Sequence, residues 1–491
     1  MNKKIHSVKF NFVMNAILTV SSFIFPLITF PYASRVLQVS SYGHVSFAQS
    51  VISYFVLISA LGIPTYGIRA CAKVRDDKEA LSKTVFELLL IQMIATVVTY
   101  VMFFLLLFVV PDFYKDRDLL LINSLSIILN TIGVQWLFSA LEQYSYITVR
   151  NIAFKVVMII MMFIFVHNPK DYLAYALIAV VGSSASNILN FIYMFKFVDF
   201  KSINKIDLLK HLKPTFIFFA STAAINIYTS LDSVMLGFLT NNFQVGLYTA
   251  AIRLKSCLVG LVNSLGTVLM PRMSYYISKG LNKEYSTLLS KSFNFIIIIS
   301  LPITVFFVLF SKDFLLFLSG DGYVDATVTM QIIILTLVFI GLSTTVTNQV
   351  LIPKLMEKQA CFAVWCSAIV DFVLNLLFIP TFGAVGAASA TLLAEMISLI
   401  MQAFFVRKLF VESIKQIDFF KIIFSICVSF ICVLFIKKIL NISLFFNLCI
   451  FGIAFFGIYF FALVILREKL VYTIYEEIII SVKSKLLHFS K

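Results

Sequence analysis

The sequence predicts an all-α integral membrane protein of about 14 transmembrane helices. They are expected as two six-helix bundles related by a parallel pseudo-repeat, with two C-terminal helices appended. Three observations predict this class. Of the 491 residues, 60% are hydrophobic and 13% charged, against roughly 45–50% and 25% in soluble domains. Apolar stretches of about 20 residues, the length that crosses a ~30 Å hydrocarbon core, recur from end to end. Basic residues gather in every second connection. With 53 phenylalanines and a mean hydropathy of +0.99, too little polar surface remains for a secreted globule, a disordered chain or an ordinary cytosolic enzyme.

In chain order the spans fall near 11–33, 45–63, 85–110, 119–140, 146–166 and 172–195, then 214–240, 245–268, 291–311, 327–350, 359–380, 384–406, 420–436 and 443–466. The first is too long for a signal-peptide core and lacks a small-residue cleavage site, so it stays as a helix. Pro26 and Pro31 interrupt it and Pro302 interrupts the ninth; such positions free backbone groups and can hinge. At about 35 residues per span, loop included, no soluble domain fits. The expected divisions are 1–200 and 201–410 for the two bundles, 411–466 for the additional helices and 467–491 for a tail.

Charge fixes the orientation. With Lys3, Lys4 and Lys9 inside, 30 of the 39 Lys+Arg lie on that side, mostly in segments 64–84, 196–213 and 271–291. The outer connections hold 7: Arg35, Lys115, Arg117, Lys170, Lys312, Lys437 and Lys438. Both termini are therefore expected in the cytoplasm. The net charge of +15 reads as topology and not as a nucleic-acid footprint. The 7 cysteines are odd in number, lie mostly inside spans and show no metal spacing, which fits buried small hydrophobes.

A repeat is visible. Tyr42-Gly43-His44-Val45 opens a span ending near Pro64, followed by a basic segment closing on Lys78-Glu79 and Lys83. Val245-Gly246-Leu247-Tyr248 opens a span ending near Pro271, followed by one closing on Lys283-Glu284 and Lys291. The matched helices are the second and eighth. An even offset of six makes the copies parallel, related about an axis along the membrane normal.

Polar residues at helical spacing mark faces that avoid lipid. Helix 1 carries Asn11, Asn15, Thr19, Ser22, Pro26 and Thr29 on one face. Helix 7 carries Thr222, Asn226, Thr229 and Ser233 beside Asp232, and helix 8 carries Thr249, Arg253, Ser256 and Asn263. Helix 2 adds Ser46, Ser50 and Ser53; helix 11 adds Ser367, Asp371 and Asn375; helix 12 adds Thr391, Glu395, Ser398 and Gln402. Stripes on helices 1, 2, 7 and 8 point to a cleft shared by the halves, although hydroxyls also serve helix packing. Ionisable residues carry more weight, because each costs about 2.5–3.5 kcal/mol or more at the bilayer centre. Asp232 and Arg253 lie at equal depth on consecutive helices, so a structural ion pair is the plain reading. Asp371 and Glu395 are either proton sites or hydrogen-bonded ties. Arg150 can snorkel to the surface; Lys155, deeper in helix 5, does so less easily.

No Walker A sequence, dinucleotide turn, His/Cys cluster or nucleophile elbow occurs, and the longest outer loop, about 312–326, is short. An enzyme is not expected.

The run Phe25-Pro26-Leu27-Ile28-Thr29-Phe30-Pro31-Tyr32, then Ser34-Arg35-Val36-Leu37, Tyr42-Gly43 and Leu61-Gly62-Ile63-Pro64-Thr65-Tyr66-Gly67-Ile68-Arg69 carry a family resemblance. So do Leu231-Asp232-Ser233-Val234-Met235-Leu236-Gly237, Pro271-Arg272 and Gly383-Ala384-Val385-Gly386. Together they resemble the polysaccharide repeat-unit (O-antigen/capsule, Wzx-type) flippases of the multidrug/oligosaccharidyl-lipid/polysaccharide exporter superfamily. The resemblance implies a multi-pass protein of the bacterial cytoplasmic (inner) membrane. It implies a cargo of undecaprenyl-diphosphate-linked oligosaccharide, moved to the outer leaflet by alternating access, with the bilayer and the polysaccharide polymerase and chain-length machinery as partners. It makes Arg35 and Arg253 the cations for cargo phosphate or acidic sugars. Lys155 joins them from its depth, and Asn226 and Asn263 from their stripes. No cofactor or metal is expected; coupling to H+ or Na+ stays open, with Asp232, Asp371 and Glu395 as candidates. An ion-coupled multidrug or small-molecule antiporter of the same superfamily is the alternative, and a membrane glycosyl polymerase or ligase would need a larger outer loop.

Overall fold

The computed structural model describes residues 8–200, 206–440 and 442–477; Lys3, Lys4, Lys201, Lys205 and the end of the basic tail lie outside them. Among the described residues the regular structure is entirely helical, and twelve helical segments are long and apolar enough to cross a membrane. One of them, Phe10–Lys73, is 64 residues long and holds two expected spans. The seventh expected span falls in a further helix, Leu209–Leu239. The architecture is the all-α membrane fold expected, and the count is consistent with fourteen spans.

In order, the N-terminal helices are α1 (Val8–Ala60), α2 (Ile63–Lys73), α3 (Lys78–Val109), α4 (Pro111–Lys115), α5 (Arg117–Ile132), α6 (Gln135–Ala140), α7 (Tyr144–Phe165), α8 (Tyr172–Val180) and α9 (Ser186–Met194). Then come α10 (Leu209–Leu239), α11 (Asn242–Ser278), α12 (Asn282–Leu309), α13 (Ser311–Ser319), α14 (Thr327–Val346), α15 (Glu357–Phe382), α16 (Ala384–Phe405), α17 (Arg407–Ile414), α18 (Phe419–Ile439) and α19 (Leu444–Ile465). Within α1 the turn between the first two spans is made at Gln38, whose φ of 61° takes the chain out of the helical region. Asp77 caps α3 by accepting from the backbone N–H groups of Glu79 and Ala80 at 2.9 and 3.1 Å. The outer loop expected at 312–326 is itself folded, as α13 and a 3-10 turn over Asp321–Ala326 that buries Tyr323.

The chain forms two compact units, Met1–Thr249 with Asn375–Ala384, and Ala250–Leu374 with Val385–Lys491. In the first unit, Ile63, Gly67 and Cys71 of α2 bury one stripe at spacings of four, and the bare Cα of Gly67 lets α2 lie against the Trp136 ring. Gly43 and Gly246, which open the two repeated spans, sit against one another. A Cβ on Gly43 would lie 1.9 Å from the Asn242 carbonyl oxygen and 2.6 Å from the Gly246 nitrogen, so only glycine allows this backbone approach. The second unit is built partly on aromatic packing of α12 against α19: Phe306 meets Phe455 and Phe310 meets Phe451, both with centroids 5.3 Å apart. Tyr459 donates to the Ile298 carbonyl at 3.0 Å. Apolar side chains such as Leu105, Phe108 and Val109 face outward at 62–74% exposure, the arrangement a hydrocarbon solvent favours.

Candidate functional site

Two groups of candidate residues take shape in the first unit. The first is built on α1 and α7. Thr148 donates to the Met14 carbonyl at 2.9 Å and Tyr32 to the Val166 carbonyl at 2.8 Å, which fixes α1 along α7 at two heights. Between those ties Lys155 reaches α1. Its Nζ lies 3.3 Å from both Ser21 Oγ and Ser22 Oγ and 5.4 Å from the centre of the Phe25 ring. Hydroxyl oxygens and an aromatic face can solvate an ammonium without neutralising it. Ser21 and Phe25 also border an open groove of about 380 Å³ along α1, whose other walls include Val13, Ile17, Val20 and Ile24. Lys155 thus contacts two residues that line an apolar trough. On the polar stripe of α1, Asn15, Thr19 and Ser22 stand exposed, whereas Asn11 and Thr29 are buried.

The second group surrounds Asp232 on α10, which is only 4% exposed. Tyr248 of α11 donates its hydroxyl to Asp232 Oδ2, and Asn375 of α15 donates its amide to Oδ1 at 2.7 Å. Tyr248 and Asn375 are themselves fully buried. A carboxylate held by two directed donors in a membrane span has the chemistry of a proton or cation site, because its charge state decides whether those donors are satisfied. Both of these donors are neutral side chains. Neither was legible as a partner, since Tyr248 lies 16 residues and Asn375 143 residues away.

The remaining candidates are dispersed. Arg35, at the end of the first span, and Asn226 are exposed; the Asn226 amide turns back to the Thr222 carbonyl of its own helix at 2.9 Å. Ser53 and Ser230 meet at 3.3 Å, so part of the stripes on the second and seventh spans is used in packing. In the second unit Arg253 is exposed, Asn263 and Glu395 are half-buried, and Asp371 is fully buried one turn before Asn375 on α15. Asn263 Oδ1 is buried and takes no hydrogen bond from the described residues. On the α16 stripe, Gln402 accepts from Thr347 at 3.1 Å, next to the wide turn Thr347–Leu351 that ends the α14 span.

A further cluster was not legible in the sequence. Glu87 of α3, fully buried, takes Lys210 Nζ at 2.8 Å, His211 Nε2 at 3.0 Å and the Asp207 N–H at 2.8 Å. Tyr66 of α2 bonds the other ring nitrogen of His211 at 2.8 Å. Burial holds the His211 imidazole below its usual range, against the opposing pull of the Glu87 carboxylate. This knot fastens the start of α10 to α2 and α3.

The chain matches two family models: one described as "Polysaccharide biosynthesis protein" over residues 8–277, and MatE over residues 218–377. A protein of Escherichia coli (strain K12) named for O-antigen transport is 25% identical over 413 residues, which is 83% of this chain and 98% of that protein. A Shigella dysenteriae protein of the same name is 25% identical over 388 residues, 77% of this chain and 94% of its own. Among solved structures, the lipid II flippase MurJ in an inward closed conformation superposes with a TM-score of 0.73 at 17% identity, covering 92% of this chain and 98% of that one. An inward-facing multidrug resistance MATE transporter of the MOP superfamily gives 0.56 at 12% identity, covering 78% and 95%. The fold is thus that of MurJ- and MATE-like transporters, and the molecule is a multi-pass membrane protein of a transporter class and not an enzyme class.

Proposed function

Because the chain belongs to the polysaccharide biosynthesis protein family, we propose that it is a flippase for lipid-linked sugar. Its cargo on this reading is an undecaprenyl-diphosphate-linked oligosaccharide repeat unit, moved from the cytoplasmic to the outer leaflet by alternating access for O-antigen or capsule synthesis. The relatives named for O-antigen transport, aligned over nearly their whole length, support the cargo class. The observation that carries the reading is the apolar groove along α1, two of whose lining residues, Ser21 and Phe25, contact the Lys155 ammonium. A polyprenyl chain needs an apolar surface and its diphosphate needs a cation, because neither a charged headgroup in hydrocarbon nor a prenyl chain in water is tolerated.

On this reading Lys155, Arg35 and Arg253 meet the diphosphate or acidic sugars in turn, and Asn226 and Asn263 bond sugar hydroxyls. Asp232, Asp371 and Glu395 carry the coupling ion, H+ or Na+. The two bundles, 1–200 and 201–410, rock against each other, with 411–466 as passengers. The protein lies in the inner membrane with both termini in the cytoplasm, beside the polymerase and chain-length machinery. The positive-inside bias supports that orientation.

The test is transbilayer movement of an undecaprenyl-diphosphate oligosaccharide in proteoliposomes, followed by its accessibility to an external sugar-modifying reagent. Movement lost in Arg253→Ala and partly kept in Arg253→Lys is the expected result. A second reading, ion-coupled export of a small cation, is favoured by one observation, the buried Asp232 carboxylate with its two donors. Proteoliposomes that move no lipid-linked sugar under any imposed ion gradient, yet export a cationic dye, would put that reading first.

A further inference from the structure

Arg150 is a buried guanidinium with too few acceptors. It sits in the second turn of α7, about 9 Å along the helix from Tyr144, and is 4% exposed. Its Nη2 donates to Gln135 Oε1 at 3.2 Å and to Asn151 Oδ1 at 3.3 Å. Nε and Nη1 are buried and find no acceptor among the described residues. Those two nitrogens carry three of the five guanidinium N–H groups. Among the described residues no carboxylate lies within ion-pairing distance of Arg150. Glu142, at the turn before α7, is engaged by Arg75 at 2.7 Å. Among the described residues the local charge is therefore positive with no acid paired to it, an imbalance that a bound oxyanion would relieve.

The surroundings are donors too. The Tyr146 ring lies 5.7 Å from the Arg150 Cζ, and the Tyr146 hydroxyl is buried without a partner among the described residues. Trp136 Nε1, next to Gln135, is another buried donor without an acceptor among the described residues. The backbone explains why the guanidinium stays inside. The chain leaves α5 at Gly133 and turns through Val134, at a left-handed φ of 34°, so that α6 brings Gln135 beside α7. Ser186 of α9 hydrogen-bonds Asn151 Oδ1 at 3.4 Å, which steadies the second acceptor. Gln135 is exposed, so the corner is open on one side.

We infer that the corner of α6 and α7 is a binding site for a phosphate-class oxyanion, with Arg150 Nε and Nη1 as its principal donors and Gln135 and Asn151 holding the guanidinium in place. The Tyr146 hydroxyl is the nearest additional donor. The same chemistry is offered by the phosphate of an anionic lipid headgroup and by free inorganic phosphate. The site is independent of the flippase reading, since it needs neither the α1 groove nor the Asp232 cluster.

The experiment measures the thermal unfolding midpoint of the purified full chain in two series. In detergent, inorganic phosphate is titrated at ionic strength held constant with sodium chloride. In phosphate-free nanodiscs, phosphatidylglycerol replaces phosphatidylcholine stepwise. The midpoint of the unmodified protein should rise and saturate in at least one series, and which one identifies the source. Arg150→Met should abolish the saturable rise; without oxyanion it should be no less stable than the unmodified chain, because an uncompensated buried charge has been removed. Arg150→Lys, which keeps the charge but not the fork, should need roughly tenfold more ligand, and it carries the test if the methionine variant does not fold. Arg117→Met, which alters an exposed guanidinium, should respond like the unmodified chain. The inference is overturned if neither series raises the midpoint, if either Arg150 variant responds as the unmodified chain does, or if Arg150→Met is destabilised equally with and without oxyanion.

Discussion

Two buried carboxylates in the first unit are held in opposite ways. Glu87 is surrounded by Lys210, His211 and a backbone N–H, a knot of cationic and polar partners at the start of α10. Asp232, farther along the same helix, takes hydrogen bonds from a phenol and an amide. An acid beside its own cation has a fixed charge and makes a fastening. An acid bonded to neutral groups can exchange a proton or a cation while its neighbours stay in place. The contrast sets an anchor at the start of α10 against an acid with two neutral donors near its far end.

The largest effect should follow removal of the anchor. Glu87→Ala strands the Asp207 N–H and the buried His211 and separates Lys210 from its acceptor. The loss should be about 3 kcal/mol, near the lower end for a broken buried pair, because Lys210 is half-exposed and regains water. Unfolding in detergent measures it. Asp232→Asn should move stability by less than about 1.5 kcal/mol, since an amide can replace one acceptor. Transport in proteoliposomes should nevertheless fall by on the order of tenfold or more, the equivalent of about 1.4 kcal/mol in the barrier. If Asp232→Asn unfolds the protein as severely as Glu87→Ala does, both acids are anchors and the contrast fails.

How much of this the sequence carried depends on separation along the chain. The spans were legible because hydrocarbon thickness sets their length, and Asp232 stood out because a charge inside a span is costly. The turn at Gln38 and the wide turn Thr347–Leu351 left no such mark, being backbone solutions to local packing. Glu87 and His211 are 124 residues apart, so their pairing leaves no local trace in the sequence. Arg150 was expected to snorkel. It stays inside because the break at Gly133 and Val134 brings Gln135 to its guanidinium, and the left-handed turn falls on Val134, a β-branched residue that gives no sign of it. Side-chain type and helical period locate candidates; partners across helices are decided by packing.

Acidification should probe the same contrast more gently. The folded imidazole of His211 titrates below its usual value of about 6.5, so the folded state binds fewer protons than the unfolded chain between those values. Its contribution to stability is therefore present above about pH 6.5 and is lost as pH falls through the lowered folded value. The groups facing it are Glu87, Lys210, Asp207 and Tyr66. The unfolding midpoint should drop on going from about pH 7.5 to 5, and His211→Gln should flatten that drop. An equally steep profile in His211→Gln would move the sensitivity to another group.

The finest discrimination comes from deleting one hydroxyl at each acid. Tyr66→Phe removes a hydrogen bond to the His211 ring, a neutral partner whose loss should cost about 0.5–1.5 kcal/mol. Tyr248→Phe removes a donor to Asp232, and its cost depends on the charge of that carboxyl. An ionised acceptor is worth about 1.5–3 kcal/mol and a protonated one no more than the Tyr66 bond. The difference between the two phenylalanine variants, about 1 kcal/mol, therefore reads the protonation of Asp232 without touching the acid. Measured at neutral pH, a larger loss in Tyr248→Phe means that Asp232 is ionised and the site is poised for a cation. Equal losses mean that it already holds a proton, so that the ion exchanged at this carboxyl is H+.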